Sequence, residues 1–121
     1  MGLFGKSKLE VARERRLEET RRSQAAAADP ATSAWVSANA GTGKTHVLTM
    51  RLLRILLAGT PPERILALTY TKAAAAEMSK RVFARLAQWV TAPDDALTGR
   101  LAELLGRAPA PEEMELSLIH I

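Results

Sequence analysis

Cysteine is absent from this 121-residue chain. Its absence excludes a disulfide framework, thiolate metal ligation and a cysteine nucleophile. Aromatic residues are scarce: Phe4, Trp35, Tyr70, Phe83 and Trp89 are the five, so a core has to be made mostly of Ala, Leu, Val and Ile. The two histidines, His46 and His120, stand too far apart to form a metal-ligand pattern. Met1 to Gly5 is too short an apolar run for a signal peptide, and charges follow it at once. No window reaches the ~18 apolar residues of a membrane span. A cytoplasmic location is the expectation.

What is present suffices for one small domain. Hydrophobic residues make up 47%, too many for a chain disordered throughout. The net charge of +4 and pI of about 10.0 favour acidic partners such as nucleic acid, although a charge of this size identifies none by itself.

Residues 6–28 are charged and helix-prone. Lys6, Lys8, Arg13, Arg15, Arg16, Arg21 and Arg22 stand against Glu10, Glu14, Glu18 and Glu19. Arg15–Glu19 and Glu18–Arg22 are favourable i,i+4 pairs, whereas Glu10–Glu14 and Glu14–Glu18 repel. With only a weak stripe of Leu9, Ala12, Leu17 and Thr20, the segment reads as an exposed helical arm, ended by Asp29-Pro30.

Further on, the pattern predicts a strand at Ser33–Ser37 and a well-buried helix over 45–58 carrying Leu48, Leu52, Leu53, Ile55, Leu56 and Leu57. Gly59 suits the position after that helix, and Pro61-Pro62 forbids its continuation. Arg64 to Tyr70 has the look of a buried parallel strand. Lys72 to Val90 reads as a helix with Ala74, Met78, Val82, Leu86 and Trp89 on one face. A last helix runs from about Asp95 to Leu105, capped by Asp94 or Asp95 and ended by Gly106. This order predicts an α/β fold with a parallel sheet. Two strands cannot complete such a sheet, so the sequence reads as the first part of a larger domain.

The most informative run is Ala38-Asn39-Ala40-Gly41-Thr42-Gly43-Lys44-Thr45, followed by His46. It is a phosphate-binding loop with Ala in place of the first Gly. Loop amides and a helix N-terminus can surround a triphosphate. Gly41 and Gly43 admit phosphate oxygens where a Cβ would clash. Lys44 supplies a mobile charge for the β- and γ-phosphates, and the Thr45 hydroxyl can ligate Mg²⁺. The plainer alternative is a Gly-rich turn that merely joins a strand to a helix. A second run, Thr69-Tyr70-Thr71-Lys72-Ala73-Ala74-Ala75-Ala76-Glu77-Met78, also enters a helix. Its hydroxyls, ring, cation and helix amides suit a sugar–phosphate backbone with a base stacked nearby; a hydroxyl-capped helix start is the alternative.

Together the two runs resemble motifs I and Ia of UvrD-type superfamily 1 DNA helicases. Within that family they are most similar to the AddA group, the helicase–nuclease subunits of bacterial double-strand-break repair and recombination. The resemblance runs from about Asp29 to Leu97 and includes Ala58-Gly59-Thr60-Pro61-Pro62-Glu63-Arg64-Ile65-Leu66. It implies a partial RecA-like P-loop NTPase lobe with an incomplete sheet. It also implies ATP and Mg²⁺ as cofactors, single- and double-stranded DNA ends as substrate, and an AddB-like partner subunit.

By position, the resemblance makes Ala38, Asn39, Ala40, Gly41, Thr42, Gly43, Lys44, Thr45 and His46 the nucleotide site. Lys44 and Thr45 would be its catalytic residues, and Thr69, Tyr70, Thr71 and Lys72 its single-stranded DNA contacts. Gln24 looks like the Q-motif glutamine that reads the adenine edge, its amide able to donate and accept; an exposed helical glutamine is the alternative. One departure is that Lys72-Ala73 stands where the UvrD pattern has Asn-Lys, which moves the cation by one position.

Residues 1–28 are thus expected to form a basic arm, 29–107 the start of the ATP-binding domain, and 108–121 a tail. No Asp-Glu pair follows a later buried strand. Asp94-Asp95 follows a helix and Pro93, and Glu112-Glu113 falls in a Pro-bounded loop. Neither an arginine finger nor nuclease carboxylates are recognisable. Catalysis by this stretch alone is therefore not expected. The resemblance fades after Arg107, and Glu112 to Ile121 reads as an apolar stub with the marks of truncation. Two rival expectations are a self-standing nucleotide-binding module and an interaction protein that docks through Lys6–Arg22.

Overall fold

The computed structural model describes residues 5–37 and 43–119. The described chain is helical: α1 (Lys8–Ala28), α2 (Lys44–Leu57), a 3-10 turn at Pro62–Arg64, α3 (Lys72–Thr91), α4 (Asp94–Leu105) and α5 (Pro111–Ile119). Among the described residues no helix is long and apolar enough to cross a membrane.

Local chemistry explains each helix boundary. Ser7 and Glu10 form a reciprocal capping box at the start of α1. Gly59 closes α2 at φ +87°. Its N–H donates to Leu56 O and that of Thr60 to Ile55 O, the paired bonds that end a helix on a left-handed residue. The Thr71 hydroxyl caps α3 by accepting from the Ala74 N–H at 3.1 Å. Gly106, at φ +71°, ends α4. The N-cap of α4 is Pro93 rather than an aspartate; Asp94 and Asp95 lie in its first turn without a capping bond and act there only through the helix dipole.

The core is a four-helix contact. Leu53 and Leu57 from α2, Leu86 and Trp89 from α3, and Leu97 and Leu101 from α4 form one cluster, with Met114 of α5 packed against it. Leu97 and Leu101 are wholly inaccessible to solvent. The expected helices over 45–58, 72–90 and 95–105 are all present. On α3, however, Leu86 and Trp89 are buried and Met78 and Val82 half-buried, while Ala74 at the start of the face is exposed. α1 stands apart, exposed over most of its length, and packs on α2 through its C-terminal turns, with Ala28 buried.

Two expectations are overturned. The α/β fold, with its RecA-like lobe of parallel strands, is contradicted: among the described residues there is no strand and no sheet. Residues 33–37 and 65–69 are irregular, and Arg64 closes the 3-10 turn. A strand exists only through its neighbours' N–H and C=O groups, and an apolar parallel strand needs cover on both faces. These segments have neither, so Trp35, Leu66 and Leu68 face solvent at 95%, 80% and 81% exposure. The second correction concerns the tail. Residues 111–119 are not an uncapped stub, and Glu112-Glu113 is not in a loop. Pro111 opens α5, Glu113 accepts from the Ala110 N–H at 2.9 Å, and Arg107 grips the same carboxylate through two N–H groups at 2.7 and 2.9 Å.

Candidate functional site

The first turn of α2 has special geometry. Gly43 is its N-cap at φ +91°, with no side-chain capping bond. A left-handed N-cap demands glycine, because a Cβ there would clash with the following carbonyl. The Val47 N–H returns to Gly43 O at 3.0 Å. The amides of Lys44, Thr45 and His46 precede the first possible i→i−4 partner and face outward at the positive end of the helix dipole.

Beside this turn lies an open cleft of about 560 Å³ with three walls. α1 contributes Arg16, Glu19, Thr20, Ser23, Gln24 and Ala27; the irregular segment contributes Trp35, Val36 and Ser37; α2 contributes Gly43, Lys44 and Val47. The α1 positions fall on one helix face by their three- and four-residue spacing. Gln24 is the inner point of that wall. Its Nε2 lies 3.1 Å from where a Cβ on residue 43 would stand, so the space at Gly43 is limited by the glutamine as well as by φ.

Of the residues singled out from sequence, Gln24, Gly43 and Lys44 converge on this cleft. Thr45 is exposed, and its carbonyl accepts from the Thr49 hydroxyl at 2.8 Å. His46 lines a separate hollow of about 100 Å³ with Met50, Trp89 and Arg100. Ala38, Asn39, Ala40, Gly41 and Thr42 lie outside the described residues, as does His120. The second run sits at the start of α3. Tyr70 is fully exposed, Thr69 donates its hydroxyl to Thr71 O at 3.0 Å, Thr71 accepts as the cap, and Lys72 is an exposed first-turn residue. The hydroxyls of Thr69 and Thr71 thus already serve the turn that presents Tyr70.

The chemistry of these groups fits a triphosphate. Uncapped amides, a glycine cradle and an exposed ammonium surround one end of the cleft, and an amide side chain stands at the wall. Among the described residues no group of three His, Asp or Glu side chains could hold a metal. A divalent ion here would thus take most of its ligands from phosphate and water, with a hydroxyl such as that of Thr45 as a single protein ligand.

Sequence reading missed Arg51. In a helix dominated by leucine it reaches back to α1 and the turn beyond, donating to the carbonyls of Ala27 at 3.0 Å, Asp29 at 2.7 Å and Thr32. The signal available was two arginines, Arg51 and Arg54, interrupting an otherwise apolar helix three residues apart.

The chain matches the UvrD/REP helicase N-terminal domain over residues 19–120, and it belongs to that family. The match continues past Arg107, where the sequence resemblance was expected to fade. Among curated relatives, the chain is 50% identical over 58 residues to the A subunit of the ATP-dependent helicase/nuclease from Lactobacillus helveticus, covering 48% of this chain and 5% of that protein. It is 44% identical over 77 residues to the protein of the same name from Pelotomaculum thermopropionicum, covering 60% and 6%. With the one from Latilactobacillus sakei subsp. sakei it shares 38% over 86 residues, covering 70% and 9%. The chain therefore spans less than a tenth of the length of these relatives. No solved structure matches it.

Proposed function

We propose that this member of the UvrD/REP helicase N-terminal domain family holds the triphosphate of ATP at the N-terminus of α2, as the ATP-binding part of a DNA helicase. The observation that carries this reading is the uncapped left-handed Gly43 start of α2, with Lys44 and Gln24 on one cleft. Amides 44–46 take phosphate oxygens, and Lys44 neutralises the β- and γ-phosphates. Gln24, from the facing wall, pairs with the adenine edge by donating and accepting at once. Bound Mg-ATP supplies the phosphoryl chemistry; Thr45 offers a hydroxyl to the metal, and the chain contributes position and charge. Ala38–Thr42 belong to the same loop by sequence.

The name the relatives carry, one component of an ATP-dependent helicase/nuclease, supports reading the longer protein as one that works on DNA ends in double-strand-break repair with a second component. Residues 29–107 are then the ATP-binding portion, preceded by the α1 arm. Tyr70, exposed on the α3 cap and flanked by Thr69, Thr71 and Lys72, provides a stacking face and a cation for single-stranded DNA.

The test is Lys44→Ala. The side chain is exposed, so its loss costs little stability. Mg-ATP affinity of the chain should drop by about tenfold or more, as expected for loss of a charge-assisted phosphate contact, with the helical circular dichroism unchanged. In the longer protein the same change should abolish ATP turnover. An unaltered Mg-ATP isotherm for the variant would contradict the assignment.

A further inference from the structure

The cleft has three walls, and a single side chain fastens two of them to the third. Arg51 lies in the second turn of α2, on the helix whose N-terminus forms the phosphate end. Its guanidinium donates to Ala27 O and Asp29 O, the last carbonyls of α1, and to Thr32 O, where the chain sets out along the Trp35–Ser37 wall. These acceptors lie 24, 22 and 19 residues away in sequence. Arg54 adds one longer bond, to Ala25 O at 3.4 Å. Carbonyls at a helix C-terminus lack intrahelical partners and carry the negative end of the dipole. A planar fork with five donors can hold three of them together, which a lysine ammonium cannot do with the same geometry.

We infer that Arg51 is a positioning residue for base recognition: by clamping the C-terminal end of α1 it sets the distance between Gln24 and the Gly43 turn. This inference rests on the nucleotide reading above and deepens it. Gln24 sits one helical turn before Ala27, the first clamped carbonyl, and its amide nitrogen is 3.1 Å from the Cβ position at residue 43. Release of the clamp lets α1 swing on α2, which makes few other contacts with it beyond the C-terminal turns. The phosphate end, built from the backbone of α2 itself, is left intact. Arg51 therefore governs how well the cleft distinguishes a nucleotide from a bare triphosphate.

The experiment compares Mg-ATP, Mg-GTP and Mg-tripolyphosphate binding to the chain and to Arg51→Gln, Arg51→Lys and Gln24→Ala. Wild type should prefer Mg-ATP to both other probes. In Arg51→Gln that preference should shrink by about tenfold, the scale of one lost hydrogen-bonded pair, while tripolyphosphate affinity stays at the wild-type value. Arg51→Lys, which keeps the charge and the stem, should lose part of the preference. The double variant Gln24→Ala/Arg51→Gln should be no worse than Gln24→Ala alone, since both act on one contact. A general loosening of the fold would instead lower tripolyphosphate and Mg-ATP binding together, and that result in both Arg51 variants overturns the inference. So does a wild-type ATP preference that survives in both. If wild type prefers no nucleotide but still binds tripolyphosphate, the positioning role falls and the phosphate site stands. If wild type binds none of the three, the nucleotide reading itself falls, and the inference with it.

Discussion

Glu113 accepts from the Ala110 N–H and from both arms of Arg107. These bonds, the Arg107 contact first, hold its carboxyl below the usual carboxylate range. A carboxylate whose folded-state pKa is depressed adds stability that is complete above its unfolded value and is lost as pH falls through the depressed one. The stability difference between wild type and Glu113→Gln should therefore be constant near neutral pH and shrink in acid, read as Tm against pH. A difference that does not change with pH would contradict the role given to the pair. The sequence presented Glu113 as a loop residue because its partners are not visible in a linear pattern: the reciprocal half of a capping box has to be matched with a backbone N–H and an arginine six residues away. Gln24 and Lys44 were legible because each belongs to a spaced motif. Arg51 was not, since its acceptors are backbone carbonyls, which any residue can supply.

At the scale of elements, the helices were readable and the strands were not. Periodicity marked α2, α3 and α4, and Gly59 and Gly106 marked two ends, because helix bonds and caps are local. The apolar runs at 33–37 and 64–70 look like strands in isolation. Whether such a run becomes one depends on residues elsewhere that offer it a ladder and cover both faces, and among the described residues none does. Thr71 illustrates the same division between local and distant causes. Its cap is local, so Thr71→Ala should destabilise the chain by about 1 kcal/mol and Thr71→Ser by much less, as measured by urea denaturation. If Thr71→Ala is neutral, the hydroxyl does not hold the start of α3. A DNA-binding effect of this residue is then best read from Thr71→Ser and Tyr70→Ala, which spare the cap.

For the whole molecule, stability resides in the α2–α5 cluster, while the candidate site is built where α1 leans on its edge. Leu97 and Leu101 are completely buried. Replacing either by Ala should cost about 2–5 kcal/mol, enough to lower the melting temperature sharply, whereas changes at exposed Leu66 or Leu68 should leave it nearly unmoved. A neutral Leu97→Ala would mean that the cluster is not the core. This separation lets site variants be made without unfolding the chain. It also allows the placement of a triphosphate at the N-terminus of α2 to be tested in one step, by titrating the isotopically labelled chain with Mg-ATP and following backbone amide chemical shifts. Saturable shifts should be largest at Gly43, Lys44, Thr45 and His46, with a second group at Gln24 and its neighbours on α1. Saturation that instead moves amides of α4 and α5, or no saturation at all, would contradict that placement.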